Sequence, residues 1–351
     1  MNLEQILETT IAAQASDVHL VVGIPPVARV NGSLLHMGNQ ILTAEDTEIF
    51  ARQILGEQLF EKFLETGECD ASYAYQEINN FRVNVYKQRS YCSVAMRLIP
   101  AEMPSLESLG LPEVFRQLCM KRDGLILVTG PTGSGKTTTL AAMVDYMSRN
   151  RNEHIITIED PIEYLFSHGS GIVTQRQLGQ DTKSFDLAIR AAMREDPDVI
   201  IVGEMRDLET ISAAITAAET GHLVLSTLHT IGAAQTIDRI IDVFPADQQT
   251  QIRYQLSGVL EAVISQRLVP NRTNDGRSLA LEIMLGSHGI SNLIREGKTN
   301  QITNSIQLGN DSGMITMDQS LTKLYKRGEI DEKNLLKFCV DYREIKNVIG
   351  D

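Results

Sequence analysis

The residues best suited to chemistry form the run Gly130-Pro131-Thr132-Gly133-Ser134-Gly135-Lys136-Thr137. Glycines let the backbone curl so that several N–H groups point at one anion. The apolar run Leu125–Val128 precedes it as a predicted strand, and a helical pattern starts at Thr138. A strand, a glycine-rich loop and a helix in this order are typical of a phosphate-binding P-loop; a glycine-rich turn that matches by chance is the alternative.

The P-loop pattern predicts ATP and Mg²⁺ as cofactors. Lys136 would reach the β- and γ-phosphates, and the Thr137 hydroxyl would be a ligand of the magnesium ion. The helix N-terminus adds the positive end of its dipole. The predicted nucleotide-binding residues are Gly130, Thr132, Gly133, Ser134, Gly135, Lys136, Thr137 and Thr138, joined by Glu159 from the next predicted strand.

Acidic residues follow two further predicted strands. His154–Ile158 leads into Glu159 and Glu163, at the end of a strand where ligands of open α/β sheets bind. Extended chain would separate these two carboxylates by up to about 13 Å, so they should have different roles, one on the attacking water and one near magnesium. A solvated acidic loop is the alternative. The apolar strand Val199–Val202 ends at Glu204, which resembles a Walker B carboxylate and would hold magnesium through water.

Two histidines flank another predicted strand, His222 before it and His229 after it. Seven extended steps would place them up to about 23 Å apart, which is too far to share a metal ion. His229, at the carboxyl end, could contact the γ-phosphate. For either histidine, a structural hydrogen bond is the alternative.

Arg82 and Arg97 lie on two predicted strands joined by a short turn at Arg89-Ser90. A hairpin symmetric about that turn places the two arginines directly opposite each other. Like charges in that position are destabilising, so the pair suggests an anion between them. Two solvated arginines in another register are the alternative.

Composition narrows the class of protein. The chain has 351 residues, 42% hydrophobic and 22% charged, which is typical of a globular protein and long enough for two domains. It has no apolar run of membrane-spanning length and no signal-peptide pattern at its start, which predicts a cytoplasmic protein without membrane insertion. A net charge of −13 argues against general nucleic-acid binding. Four scattered cysteines predict buried or inert thiols, with no zinc site or disulfide frame.

The patterns predict an α/β fold with two domains. Residues 1–99 read as a small mixed α/β domain, with a helix over 2–13, a hairpin turn at Asn31-Gly32 and a helix from Thr43. Three prolines mark residues 100–113 as a linker. Alternating strands and helices over 114–285 predict a parallel sheet covered on both faces. Residues 286–351 read as helical, with two helices over 317–349 separated by a turn at Gly328.

Several of these stretches together resemble the PilT-like retraction ATPases of type IV pili, within the secretion ATPase superfamily. The acidic box, Ile158–Tyr164, and the histidine box, Thr220–Thr230, are specific to the superfamily. Asn292–Lys298 resembles a motif of the retraction branch. The matching stretches are Ala15–Leu20, Asn80–Asn84, Gly130–Thr138, Ile158–Tyr164, Val199–Asp207, Thr220–Thr230, Asn292–Lys298 and Gly313–Leu321.

The resemblance implies a PAS-like N-terminal domain, a flexible linker and a RecA-like ATPase core in a ring of six subunits. ATP hydrolysis would rotate one domain against the other and drive an inner-membrane pilus platform protein, with a paralogous pilus ATPase as a further partner. The resemblance assigns Glu163 as the catalytic base, Glu204 as the magnesium-side carboxylate, and Arg82 and Arg97 as phosphate contacts. The tetracysteine zinc element and extra N-terminal domain of pilus-extending relatives are not found, which favours retraction.

The sequence departs from the family pattern at three positions. Ser90 stands in place of a glycine, and Gly289 and Ser291 replace an alanine and an arginine. The last two bear on motor output, although relaxed surface positions of a helix are the alternative. Two other functions stay open at this point: a RecA-type nucleic-acid translocase, and a low-activity accessory subunit of a pilus motor.

Overall fold

The computed structural model describes residues 1–30, 32–76, 79–99, 103–273 and 276–349. Within them the chain forms two compact units. Unit 1 comprises Met1–Met103 together with Pro161–Leu165, and unit 2 comprises the remaining residues from Pro104. Residues 100–102 of the predicted linker lie outside the described residues. None of the helices in the described ranges is both long and apolar enough to cross a membrane.

Unit 1 is an antiparallel sheet of six strands with two helices. The strand order is β3-β2-β1-β6-β5-β4. The core includes Leu7, Phe60 and Phe81, all with no exposed surface. The elements are α1 (Leu3–Ala12), β1 (Asp17–Leu20), β2 (Val27–Val30), β3 (Ser33–His36), α2 (Ala44–Thr66), β4 (Glu68–Tyr75), β5 (Asn79–Gln88) and β6 (Tyr91–Ile99).

Local signals account for the ends of these elements. Helix α2 begins where the sequence predicts, and Thr43 caps it and forms a reciprocal capping box with Asp46. Gly56, with φ +67°, interrupts α2. Strands β2 and β3 form the predicted hairpin, with Val30 opposite Ser33 and φ +81° at Gly32; Asn31 lies outside the described residues.

The hairpin of β5 and β6 has the predicted register, with Arg82 directly opposite Arg97. Its two-residue turn needs positive φ at both positions, and φ is +51° at Arg89 and +67° at Ser90. Ser90 therefore adopts a conformation that favours glycine, and the register is kept.

Unit 2 is a seven-stranded sheet with helices on both faces. The strand order is β13-β12-β7-β11-β10-β8-β9, and all neighbours are parallel except the edge strand β13. This confirms the predicted α/β class. The strands are β7 (Gly124–Thr129), β8 (His154–Glu159), β9 (Ile172–Gln177), β10 (Val199–Val202), β11 (Leu223–Leu228), β12 (Leu260–Pro270) and β13 (Arg277–Leu285).

The central strands of this sheet are fully buried because helices cover both of their faces. Every residue of β7 and of β11 is buried. The helices are α3 (Val114–Cys119), α4 (Lys136–Asn150), α5 (Phe185–Ala192), α6 (Leu208–Glu219), α7 (Ala233–Asp242), α8 (Gln249–Val259), α9 (His288–Arg295), α10 (Ile302–Leu308), α11 (Met317–Lys326), α12 (Glu332–Phe338) and α13 (Tyr342–Ile349).

The C-terminal region differs from the prediction of two helices over 317–349. The structure has three, because the chain is extended at Cys339 between α12 and α13. Gly328 has φ +73°, at the predicted turn, and Asp331 caps α12. These helices pack with Val269 of β12 and Ala280 of β13 in a separate small core. The four cysteines are free; Cys69 and Cys119 are buried, but Cys92 and Cys339 are only partly so.

Candidate functional site

The predicted site residues of unit 2 lie at the carboxyl ends of its parallel strands. Strands β7, β8, β10 and β11 are parallel, so all four end at one edge. In chain order, these ends lead into the loop Gly130–Gly135, Glu159, Glu204 and His229. This is where ligands of open α/β sheets bind.

The P-loop lies between β7 and α4, as its sequence predicts. Gly133 and Gly135 have φ of +76° and +90°, which favours glycine at both positions. At Gly130, with φ +144°, a Cβ atom would lie 2.4 Å from the Gln266 carbonyl oxygen of β12. The ammonium of Lys136 lies over the loop and donates to the carbonyl oxygens of Gly130 and Pro131, at 2.8 and 3.2 Å.

Two polar atoms beside the loop are buried and have no hydrogen-bond partner within the described ranges. They are the Ser134 hydroxyl oxygen and the side-chain oxygen of Gln266. Gln266 is 1% exposed, and its amide nitrogen donates to the Thr139 hydroxyl of α4 at 2.8 Å. Buried polar atoms without partners are uncommon and call for an explanation such as a ligand.

The residues of the loop fit a phosphate group and a magnesium ion by their chemistry. The Ser134 hydroxyl has hydrogen-bonding capacity that the protein leaves unused, and α4 begins at Lys136 with its N-terminal amides. Thr137 is exposed, so its hydroxyl is accessible to a metal ion. Among the described residues no group of three or more His, Cys, Asp or Glu is placed to hold a metal ion.

Glu159 is held in place by two donors. One carboxylate oxygen accepts from the Thr157 hydroxyl at 2.6 Å and from the Gln175 amide at 3.0 Å. Both donors come from the neighbouring strands β8 and β9, so the carboxylate is oriented at the end of β8.

Glu204 and His229 lie close together. The Glu204 carboxylate is 3.7 Å from His229 Nε2 and 2.6 Å from Arg206 Nε. Its side chain is 18% exposed, and the Thr227 hydroxyl donates to the Gly203 carbonyl oxygen just before it. The structure thus brings the predicted magnesium-side carboxylate and the predicted γ-phosphate contact into one cluster.

His222 lies at the opposite edge of the sheet, before β11. Its ring is within hydrogen-bond distance of the Ala217 carbonyl oxygen and the Thr220 hydroxyl, at 2.9 and 3.2 Å. These contacts support the structural alternative for this histidine.

Three other predicted residues lie in unit 1. The Glu163 carboxylate is 3.5 Å from the Arg82 guanidinium, and the Asp17 carboxylate is 2.9 Å from Arg97 Nε. The facing arginines therefore each have an acidic partner from the protein. Both arginine side chains stay well exposed, at 43% for Arg82 and 69% for Arg97.

The two departures from the retraction motif lie on α9. Gly289 is exposed, and a Cβ there would meet only the Ser287 hydroxyl, at 3.9 Å. Alanine would therefore fit at that position. Ser291 donates its hydroxyl hydrogen to the Ser257 carbonyl oxygen at 2.8 Å, which ties α9 to α8.

Sequence reasoning missed several polar residues of the site. Gln266, Ser265 and Glu282 are all buried, and the Ser265 hydroxyl is 2.8 Å from that of Thr129. In the sequence each of them is a polar residue inside an apolar strand. Such a position is unusual, but the sequence does not tell which group the polar side chain will bond to. Arg206 was likewise visible only as part of a matching stretch.

Two known proteins are similar to this chain over nearly its whole length. The type IV pilus retractation ATPase PilT of Pseudomonas aeruginosa is 45% identical over 337 residues, 95% of this chain and 97% of its own. The type IV pilus ATPase PilU of the same organism is 38% identical over 99% of this chain and 91% of its own.

A solved structure and a family model also match this chain. The crystal structure of the pilus retraction motor PilT with bound ADP has a TM-score of 0.92 and 46% identity, and each chain covers 98% of the other. The predicted resemblance is confirmed. The sequence model of the type II/IV secretion system proteins matches residues 61–330, and the chain therefore belongs to that family.

Proposed function

We propose that this chain is an ATP-driven motor that powers retraction of type IV pili and twitching motility. The observation that carries the proposal is the P-loop on the same sheet edge as the Glu204–His229 cluster, in a chain similar to PilT over nearly its full length. The bound ADP of the similar PilT structure supports nucleotide binding by this fold.

The proposed roles follow from the position of each residue. The backbone and hydroxyl groups of the P-loop bind the phosphates, and Lys136 moves from the loop carbonyls to the β- and γ-phosphates. Thr137 and Glu204 hold Mg²⁺, which would neutralise phosphate charge. His229 contacts the γ-phosphate, and the Glu159 carboxylate at the end of β8 supports the magnesium shell.

Unit 1 supplies the remaining proposed roles. Glu163 accepts the proton of the attacking water, as the general base. Arg82 and Arg97 contact phosphate. Their side chains are exposed and therefore accessible to it. A guanidinium can exchange a carboxylate partner for a phosphate. The ion pair between Arg82 and Glu163 is therefore compatible with a phosphate contact by Arg82.

The proposed assembly is a homo-hexamer at the cytoplasmic face of the membrane. It acts on an inner-membrane platform protein of the pilus and works with a paralogous ATPase. The presence of both PilT and PilU in one organism supports the paralogous partner. Light scattering of the purified protein with ATP tests the hexamer, and a monomer or dimer at micromolar concentration would contradict it.

Steady-state ATP hydrolysis tests the enzyme. Lys136→Ala should abolish hydrolysis, and Glu163→Gln should bind ATP normally but stop turnover, because it removes the base and not the phosphate contacts. Lys121→Ala is the matched control, since this lysine pairs with Glu261 on the other edge of the sheet. Wild-type turnover in Glu163→Gln would remove that residue from the mechanism, and stimulation by DNA would favour a translocase.

A deletion strain tests the biological role. Retraction predicts excess surface pili and no twitching, both restored by the wild-type gene and not by the Lys136→Ala gene. Bald cells would indicate a role in assembly, and normal pili with normal twitching would contradict the proposal.

A further inference from the structure

Helix α7 begins only four residues after His229 and has no cap of its own. Its N-cap is Gly232, with φ +99° and no side chain to accept a hydrogen bond. The first amides of a helix need partners from elsewhere. Here Glu282, on strand β13, accepts from the Ala233 N–H at 2.8 Å. A residue 49 positions away in the chain therefore caps the helix that follows the histidine loop, residues 229–232.

Glu282 also lies near the start of a second helix. The amide of Met317, the first residue of α11, is close enough to lower the pKa of the Glu282 carboxyl, and the neighbouring Leu281 N–H donates to the Ser320 hydroxyl of α11 at 3.0 Å. Glu282 is only 8% exposed, and burial raises the pKa of its carboxyl, while the amides of Ala233 and Met317 favour the charged form. A buried carboxylate is costly unless it is hydrogen-bonded, and the Ala233 N–H at the start of α7 supplies such a bond to Glu282.

The strand register places Glu282 level with the catalytic loops. Glu282 lies opposite Ser265 of β12, which lies opposite Thr129 of β7, which lies opposite Leu228 of β11. Thr129 immediately precedes the P-loop, and Leu228 immediately precedes His229. One row across four strands thus contains Glu282 and the two residues from which the nucleotide-binding loops start.

A second buried carboxylate continues the connection to the C-terminal helices. Asp318, on α11, is 5% exposed and accepts from the N–H groups of Val340 and Asp341, both at 2.7 Å. These two residues directly precede α13. Glu282 therefore bonds to the start of α7, its strand β13 bonds to α11 through Leu281 and Ser320, and α11 bonds to the start of α13 through Asp318.

We propose that Glu282 is a positioning residue for the histidine loop and links the placement of His229 to the C-terminal helices α11–α13. This rests on the role of His229 in the proposed function. Without the Glu282 carboxylate, the first turn of α7 loses its partner, and the loop that carries His229 loses its fixed end. Binding of the nucleotide by the P-loop does not use this contact.

The test compares Glu282→Ala and Glu282→Gln with Glu329→Ala as the control, because Glu329 lies between α11 and α12 with its side chain 41% exposed. For Glu282→Ala we expect kcat to fall by about tenfold with the KM for ATP and the affinity for ADP unchanged. Gln keeps one accepting oxygen and should recover most of kcat. Hydrogen–deuterium exchange of amides 230–236 should rise in Glu282→Ala and not in the control.

A double-mutant cycle with His229→Ala separates positioning from general stability. If Glu282 acts through His229, the double variant loses no more kcat than His229→Ala alone. Multiplied losses, or unchanged exchange at 230–236, would overturn the proposal. If His229→Ala hydrolyses ATP at the wild-type rate, the histidine role in the proposed function fails, and the exchange comparison still decides the role of Glu282. If Glu282→Ala does not fold, the exchange and kcat of Glu282→Met decide it, because methionine keeps the side-chain volume and lacks the accepting carboxylate oxygens.

Discussion

Two glycines of the P-loop, Gly130 and Gly133, are constrained for different reasons. The difference predicts how much nucleotide affinity each alanine variant loses. At Gly133, with φ +76°, a Cβ atom would meet nothing within 4 Å. Alanine there costs only backbone strain, about 1–2 kcal/mol. The strain sets an upper limit on the loss of nucleotide affinity, about 5- to 30-fold.

Gly130→Ala should lose more than that limit. Its Cβ would lie 2.4 Å from the Gln266 carbonyl oxygen and 2.7 Å from the Ser134 hydroxyl oxygen, and real Cβ atoms essentially never come so close. Because one neighbour is the backbone of β12, the loop must move away from the strand, and its amides no longer point at one anion. Titration with a fluorescent ATP analogue measures both variants, and thermal unfolding confirms that each is folded. Equal affinities for the two variants would refute the steric argument.

Two further predictions concern ionisable groups. Burial raises the pKa of the Asp17 carboxyl, but hydrogen bonds from Arg97 and Ser16 outweigh it, so the net pKa lies below the usual 3.8. Asp17→Asn should therefore lower the melting temperature at pH 7, and the difference should shrink as the pH falls below about 3.8; a difference that grows in acid would contradict this. Burial raises the pKa of the Cys119 thiol to about 12, so iodoacetamide at pH 8 should alkylate the partly exposed Cys339 first, as read by mass spectrometry. Equal rates at the two cysteines in the folded protein would count against it.

The features that the sequence predicts well are those with local causes. The β7–loop–α4 unit depends on glycines and flanking apolar residues that are consecutive in the chain. The Arg82–Arg97 register depends on a two-residue turn, which fixes every pair along the hairpin. Both features could be read without knowing the rest of the fold.

The features that the sequence did not predict depend on distant residues. Glu282 and the amide of Ala233 are 49 positions apart, and Gln266 and Thr139 are 127 apart. Nothing local in β12 or β13 tells which helix their polar side chains will meet. The break between α12 and α13 has a similar cause, because the amides of Val340 and Asp341 bond to Asp318 on another helix.

The ion pair between Arg82 and Glu163 has a consequence for the timing of hydrolysis. Both side chains are more than a third exposed, so the pair contributes less than about 1 kcal/mol and can be broken at little cost. The γ-phosphate of ATP carries more negative charge than one carboxylate and attracts a guanidinium more strongly. Under the proposed roles, arrival of ATP would draw Arg82 away and leave Glu163 unneutralised, so the base would become available only when there is a triphosphate to cleave.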